Sequence, residues 1–165
     1  MSVLDWLLPA IAVVLVLGGL FLVATANRLD RLHVRTDAGW AALDAALARR
    51  AVVARAAAAL LGGDGGDGSG LRAVAERAEG AARPDREAEE NELTLVLARV
   101  DRSRLPAVLA GELTDAEHRV VIARRVHNDA VRDTLALRRR RKVRYFKLAG
   151  TAPLPEYFEF AEPDL

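Results

Sequence analysis

Chemistry in this chain would have to come from His33, His118 and His127, from Ser2, Ser69 and Ser103, and from carboxylates and arginines, because it contains no cysteine. That absence removes a thiolate metal site, a cysteine nucleophile and a disulfide framework together. His118 and His127 stand nine positions apart, which on one helix turns them to opposite faces. No His-x-x-x-His or Glu-x-x-His pair occurs, so a metal would need ligands from a further helix. His127 falls on an apolar stripe and reads as a core histidine. None of the serines sits in a strand-turn-helix nucleophile elbow. Glu117 with Arg124, and Asp129 with Arg125 and Arg132, have the spacing of ion pairs along a helix surface. The expectation is a protein without catalytic residues, metal or cofactor.

Two segments stand out by composition. Gly62 to Gly70 reads GGDGGDGSG. No Gly-Lys-Ser/Thr follows it, the liganding glutamate of an EF-hand is missing, and a single such stretch has no second repeat to stack on. It reads as a flexible connector. The run Arg138, Arg139, Arg140, Arg141, Lys142 and Arg144 then places six positive charges within seven residues, with Tyr145 and Phe146 directly behind. As a solvated helix end the run complements the C-terminal dipole. As a membrane-surface patch it would meet anionic lipid headgroups. Nucleic acid is the least favoured partner, since the rest of the chain offers no basic face or stacking platform.

The elements that must position these groups begin with a membrane segment. From Trp6 to Ala26 there are 21 residues and no charge, a length of about 31 Å as a helix, enough to cross a hydrocarbon core. Pro9 stands in the first turn, where a missing N–H costs little, and Gly18 and Gly19 are tolerated in lipid. Ala24-Thr25-Ala26 fits a signal-peptidase site, but the residues before the run contain Asp5 and no Lys or Arg, and the run exceeds a usual signal-peptide core. A retained single-pass span is expected. Arg28, Arg31 and Arg35 follow at once, so the positive-inside rule places residues 1–5 outside and everything after Ala26 in the cytoplasm. Gly18 and Gly19 offer a close-approach face for a second copy, without a full GxxxG motif.

The remainder reads as helices. The 165 residues suit one small domain, and 24 Lys+Arg against 23 Asp+Glu leave a net charge of only +1. Aromatics make up 5%, and alanine is abundant, a balance that favours close-packed helices. Leu29, Leu32, Thr36, Trp40, Leu43 and Leu47 recur at helical steps, and the pattern runs unbroken from Asn27 to Leu61 except for Gly39, about 52 Å beyond the bilayer. Its alanine-rich second half suits a closely packed neighbour. Leu71 to Ala82 and a stretch from Asp85 carrying Leu93, Val96, Leu97 and Val100 predict two shorter helices, separated from the last by a polar break at Asp101 to Arg104. The last helix starts at Pro106 or at the capping box Thr114-Asp115-Ala116-Glu117, Pro106 being preferred, and runs towards Arg141. Pro153, Pro155 and Pro163 keep residues 150–165 from forming a long helix. The expected fold is all-α: a transmembrane helix 6–26 continuing into an antiparallel four-helix bundle over 27–149, with the connector at 62–70. Alternating directions bring the basic end of the last helix back towards the membrane.

The ordered fragments carry a resemblance. An amino-terminal span, Asn27-Arg28-Leu29, Trp40 with Leu43-Asp44 and Leu47-Ala48-Arg49-Arg50, Glu90-Asn91-Glu92-Leu93, the stretch Ala123 to Asp133 (ARRVHNDAVRD) and the closing Tyr157-Phe158-Glu159 together resemble the LemA family. The resemblance covers most of the chain after the span. The sequence departs from the family with His127 in place of a tyrosine, Arg55 in place of a proline, the Gly-rich segment, and Lys147-Leu148-Ala149-Gly150 where an aromatic-glycine stretch is usual. It implies a bacterial inner-membrane protein, amino terminus outside, with a cytoplasmic helical bundle. It implies no molecular activity.

The polar residues at those shared positions, Asp44, Arg49, Asn91, Arg124, Arg125 and Asn128, read as an interhelical network that fixes register, since half-satisfied buried polar groups are costly. The functional alternative is a polar groove for a peptide or helix of a membrane or cytoplasmic partner. The resulting expectation is an interaction or scaffold module at the membrane, with the bilayer and its anionic lipids as further partners. A membrane-surface enzyme of unrecognised type is the competing class.

Overall fold

The structure, a computed structural model, describes residues 3–62 and 67–160. The start of the expected outer terminus, the middle of the Gly-rich segment and the last five residues, Pro163 among them, lie outside the described residues. Among the described residues the chain is all-helical, with no strand. The apolar segment and the amphipathic stripe behind it form a single helix, α1 (Val3–Leu61), 59 residues long. Because the helix starts at Val3, Pro9 is its seventh residue and lies inside it, not in the first turn as expected, so its missing N–H leaves one intrahelical hydrogen bond unmade. One window of this helix is long and apolar enough to cross a membrane, and none of that window is buried.

The second helix, α2 (Asp67–Gly80), begins four residues before the predicted Leu71, so Asp67 to Gly70 belong to a helix and not to a connector. The reason is steric. A Cβ on Gly68 would lie 2.4 Å from the Ala58 carbonyl oxygen and 2.5 Å from the Gly62 nitrogen, so glycine lets the first turn of α2 press against the end of α1. Next, α3 (Arg86–Leu97) follows Asp85 and carries Glu87 and Glu89 in its first turn, which suits the helix dipole. The polar break forms a 3-10 turn, Arg102–Arg104. Asp101 caps it, accepting from the Ser103 N–H at 3.0 Å and the Ser103 hydroxyl at 2.6 Å. Those bonds hold the Asp101 carboxyl below its ordinary value, so the cap is lost as the pH falls through that lowered value.

The fourth helix, α4 (Ala107–Arg138), starts directly after Pro106, whose carbonyl accepts from Ala110 N–H at 3.0 Å. The alternative start at Thr114 is an interior position: the Thr114 hydroxyl donates to the Ala110 carbonyl and accepts from Arg102. Glu117, read as a surface residue, is 1% exposed, and its carboxylate takes Arg102 Nη2 at 2.7 Å, tying the 3-10 turn to α4. The helix ends at Arg138, short of the expected Arg141, and a separate short helix, α5 (Arg141–Tyr145), follows.

The chain divides into two compact units, and α1 and α4 contribute to both. One unit comprises the chain up to Asp37 with Ala130–Glu156; the other comprises Ala38–Asp129 and the tail from Tyr157. In the larger unit α1, α2, α3 and α4 all supply one core: Ala54, Ala57 and Leu61, then Leu71, Val74 and Ala75, then Leu93 and Leu97, then Leu113 and Ala116. Alanines line α1 there because they let its neighbours come close. In the smaller unit Leu29, Leu137 and Val143 are buried together, with Leu32 and Leu148 packed on them. Thr36 and Thr134 share a buried hydrogen bond at 3.0 Å. The stripe Leu29, Thr36, Leu43 and Leu47 is buried as its spacing predicts.

Glycine has opposite meanings at two helical positions. Gly68→Ala forces backbone apart and is expected to destabilise the protein by about 2 kcal/mol. Gly111, within α4, has nothing within 4 Å of an added Cβ, and Gly111→Ala is expected to stabilise by about 0.5–1 kcal/mol. Thermal unfolding of the purified full-length variants measures both.

Candidate functional site

The most concentrated polar chemistry of the larger unit is built around Arg50. The residue extends the buried stripe of α1, three positions after Leu47, so its side chain must leave water. It is 0% exposed, as is Glu90 of α3, and the two form an ion pair through Nη2 and Oε2. Arg50 also donates from Nη1 to the Thr94 hydroxyl at 3.0 Å and from Nη2 to the Glu90 carbonyl at 3.1 Å. Arg86, one turn before Glu90, pairs with it at 3.3 Å and reaches Asp44 of α1 at 3.0 Å. Arg86 further donates to the carbonyls of Glu79 and Ala81, which closes the α2–α3 connection. Two arginines and two carboxylates thus balance, three of the four buried.

The C-terminal tail completes this site. Phe158 and Phe160 are buried with Leu43 and Leu47 of α1 and Val120 of α4. The Asn128 side chain clamps the tail backbone in both directions: its Nδ2 donates to the Phe158 carbonyl at 3.0 Å, and its Oδ1 accepts from the Phe158 N–H at 2.9 Å. Glu87 of α3 accepts from the Glu159 N–H at 2.8 Å. Phe160 lies under the guanidiniums of Arg50 and Arg124, at 5.3 and 5.7 Å from its ring centre. Trp40 stands edge-on to both Phe158 and His127, and carries Arg83 on its face at 4.0 Å. His127 is 0% exposed and in close contact with Gly39, whose Cβ position is 3.2 Å from the His127 Cα. It is the core residue its place on the stripe predicts.

The six polar residues singled out in the sequence therefore do not form one network. Asp44 joins the Arg50–Glu90 cluster through Arg86. Arg124 and Asn128 hold the tail. Arg49, one position from Arg50 and thus turned by about 100°, is half exposed and pairs with Glu112 of α4 at 3.2 Å. Asn91 is half-buried on α3, and Arg125 is exposed on α4. Arg50, Glu90, Arg86 and Thr94 were missed, although the helical phase gives them away: Arg50 continues Leu43 and Leu47, while Arg86, Glu90 and Thr94 share the face of Leu93 and Leu97. A further surface link joins Arg77 of α2 to Glu92 and Glu89, and the hydrogen bond it donates to Glu92, ahead of the one to Glu89, holds the Arg77 guanidinium above its ordinary value.

In the smaller unit the basic run is divided by the break after α4. Arg138 donates to the Ala152 carbonyl at 2.8 Å and the Pro153 carbonyl at 2.7 Å, fastening the chain beyond α5. Arg139, Arg140, Arg141, Lys142 and Arg144 are exposed. The Lys142 ammonium lies 4.6 Å from the centre of the Phe21 ring, inside the uncharged segment of α1.

Among the described residues no group of three or more His, Asp or Glu side chains is placed to hold a metal ion. Comparison with family models, with curated proteins and with solved structures finds no match for this chain.

Breaking a buried ion pair leaves an uncompensated charge, so Glu90→Ala is expected to lower stability by about 3–5 kcal/mol. Arg50→Met combined with Glu90→Leu should recover most of that loss in denaturant titrations. Asn128→Ala removes two backbone hydrogen bonds, a net of about 1.5–2 kcal/mol. It should speed chymotryptic cleavage at Tyr157 and Phe158 roughly tenfold or more, with helix content unchanged by circular dichroism.

Proposed function

We propose that this chain is a LemA-like single-pass protein of the bacterial inner membrane, whose cytoplasmic part is an antiparallel four-helix bundle acting as an interaction or scaffold module. Trp6–Ala26 crosses the bilayer with residues 1–5 outside. The observation that carries the reading is the contrast along α1. Trp6, Val14 and Leu15 are 68%, 68% and 69% exposed, whereas Leu29, Leu43 and Leu47 further along the same helix are at most 1% exposed. Lipid is the solvent that a helix apolar all round requires, and water suits the part with a single apolar stripe.

The bundle reading is supported by contacts that run in opposite directions along α1 and α4. Arg49 meets Glu112 in the larger unit, where Gly39 meets His127. In the smaller unit Arg35 pairs with Asp133, and Leu29 is buried with Leu137. Four helices then share one core.

The interaction reading is supported by an apolar surface that stays exposed on α1 and α4. Ala42, Ala45 and Ala46 of α1 with Ile122, Ala123 and Val126 of α4 line an open, largely apolar cleft of about 470 Å³ that Arg49 and Arg119 also border. Ile122 is 61% and Val126 50% exposed. Alanines on the α1 wall with Ile122 and Val126 on the α4 wall suit an apolar helix of a partner protein.

Full-length protein is expected to stay in the membrane pellet after alkaline carbonate washing, and a carboxyl-terminal green fluorescent protein is expected to fluoresce. Release into the supernatant, or a dark fusion beside an active phosphatase fusion at the same point, would overturn the anchor or its orientation. In-cell crosslinking should capture a partner that Ile122→Glu loses at unchanged melting temperature. An undiminished crosslink in that variant removes the apolar cleft from the reading.

A further inference from the structure

In the smaller unit a cleft of about 510 Å³ opens beside α5. Its cationic wall is Arg139, Arg144 and Lys147, its apolar floor includes Leu135, Val143 and Leu154, and among the described residues no acidic side chain lines it. We infer that this cleft is a site for the phosphate-bearing headgroup of an anionic phospholipid. The inference rests on the membrane reading above and narrows it from a diffuse basic run to three named side chains.

Charge economy is the first argument. The chain is nearly neutral, and three exposed arginines elsewhere are matched to carboxylates: Arg35 to Asp133, Arg49 to Glu112, Arg77 to Glu92. Arg139, Arg144 and Lys147 have no carboxylate partner among the described residues and face one cleft together. Like charges grouped in this way repel, and an anion between them removes the repulsion. Arg138, though it borders the cleft, is already committed to the carbonyls of Ala152 and Pro153. Those bonds hold the segment that carries Leu154, and so shape the wall.

Backbone geometry supplies the second argument. The helix α5 closes with the Leu148 N–H bonded to the Val143 carbonyl at 3.0 Å and the Lys147 N–H to the Arg144 carbonyl at 3.3 Å. That is a Schellman cap, and its left-handed position usually holds glycine. Here it holds Lys147, with φ of 49°. A lysine in that conformation is disfavoured relative to glycine, a strain that the Val143–Leu148 packing overcomes and that glycine would relieve.

A free phosphate ion makes no use of an apolar floor, whereas a lipid does. Tyr145, Phe146 and Leu154 are 82%, 51% and 64% exposed around the cationic wall, a mixture of aromatic and basic side chains suited to the headgroup layer. The Lys142 contact with Phe21 ties α5 to the uncharged segment itself.

The test uses purified full-length protein in a neutral detergent, titrated with fluorescent phosphatidylglycerol, phosphatidylcholine and inorganic phosphate. Phosphatidylglycerol is expected to bind. Arg139→Gln with Arg144→Gln should weaken it about thirtyfold, and Lys147→Gly about fivefold at an equal or higher melting temperature. Arg140→Gln with Arg141→Gln removes the same charge outside the cleft and should change binding less than about threefold. Equal losses in the two double variants, or no loss in either, overturn the site. Equal binding of phosphatidylcholine, or full displacement of phosphatidylglycerol by inorganic phosphate at matched concentration, overturns its assignment to an anionic lipid. Carbonate washing and the reporter fusions test the anchor separately, so the cleft can fail while the anchor stands, and the reverse.

Discussion

A guanidinium taken out of water must be satisfied by the protein around it, and Arg50 imposes that requirement on the larger unit. Its donors reach Glu90 and Thr94 of α3, and Glu90 in turn holds Arg86, which reaches back to Asp44 on α1. A slide of α3 along α1 by one turn, about 5.4 Å, would strand every one of these groups. Apolar contacts tolerate such slides far better, because a leucine finds another leucine at little loss. The buried pair is therefore a device for choosing one register among several that bury similar area, and only weakly a source of stability.

The same site explains why the tail is ordered although it forms no helix. Residues 152–160 have no regular secondary structure, so their backbone groups need partners from elsewhere. Asn128 supplies an acceptor and a donor at Phe158, and Glu87 an acceptor at Glu159. With the backbone held, Phe158 and Phe160 enter the apolar space above Leu43 and Leu47, and Phe160 covers one face of Arg50. The aromatic tail and the buried cation depend on each other: the ring shields the charge from water, and the charge rewards the ring's position.

Polar groups in the two units serve different ends. In the larger unit, the buried cations Arg50 and Arg86 meet carboxylates and donate to backbone carbonyls. In the smaller unit, Arg138 donates to backbone carbonyls, while Arg139, Arg144 and Lys147 border an open cleft that no acidic side chain lines among the described residues. On the proposed membrane reading, this cationic surface beside a helix segment apolar on every side would lie where protein, headgroup and hydrocarbon meet.

The helical periods were legible in the residues alone. The stripe from Leu29 to Leu47 and the continuity of α1 to Leu61 follow from spacing, and the start of α4 follows from Pro106, because each depends on neighbours within a turn or two. His127 as a core residue was legible for the same reason. Other features were decided between helices. Arg49 and Arg50 are chemically identical neighbours whose phase along α1 is legible, but their partners, Glu112 of α4 for the half-exposed one and Glu90 of α3 for the buried one, are set by packing. Composition makes the glycines of residues 62–70 read as loop, yet Gly68 is a packing residue, since only the approach of α2 to α1 removes the room for a Cβ. Asn128 was visible as a polar residue on a helix, but its partner is the backbone of a tail 30 positions away. The cleft at Arg139, Arg144 and Lys147 exists because α4 stops at Arg138 and the chain folds back. Local sequence sets which residues share a face of one helix; which faces meet, and which charges are left without an opposite, is settled only when the helices pack.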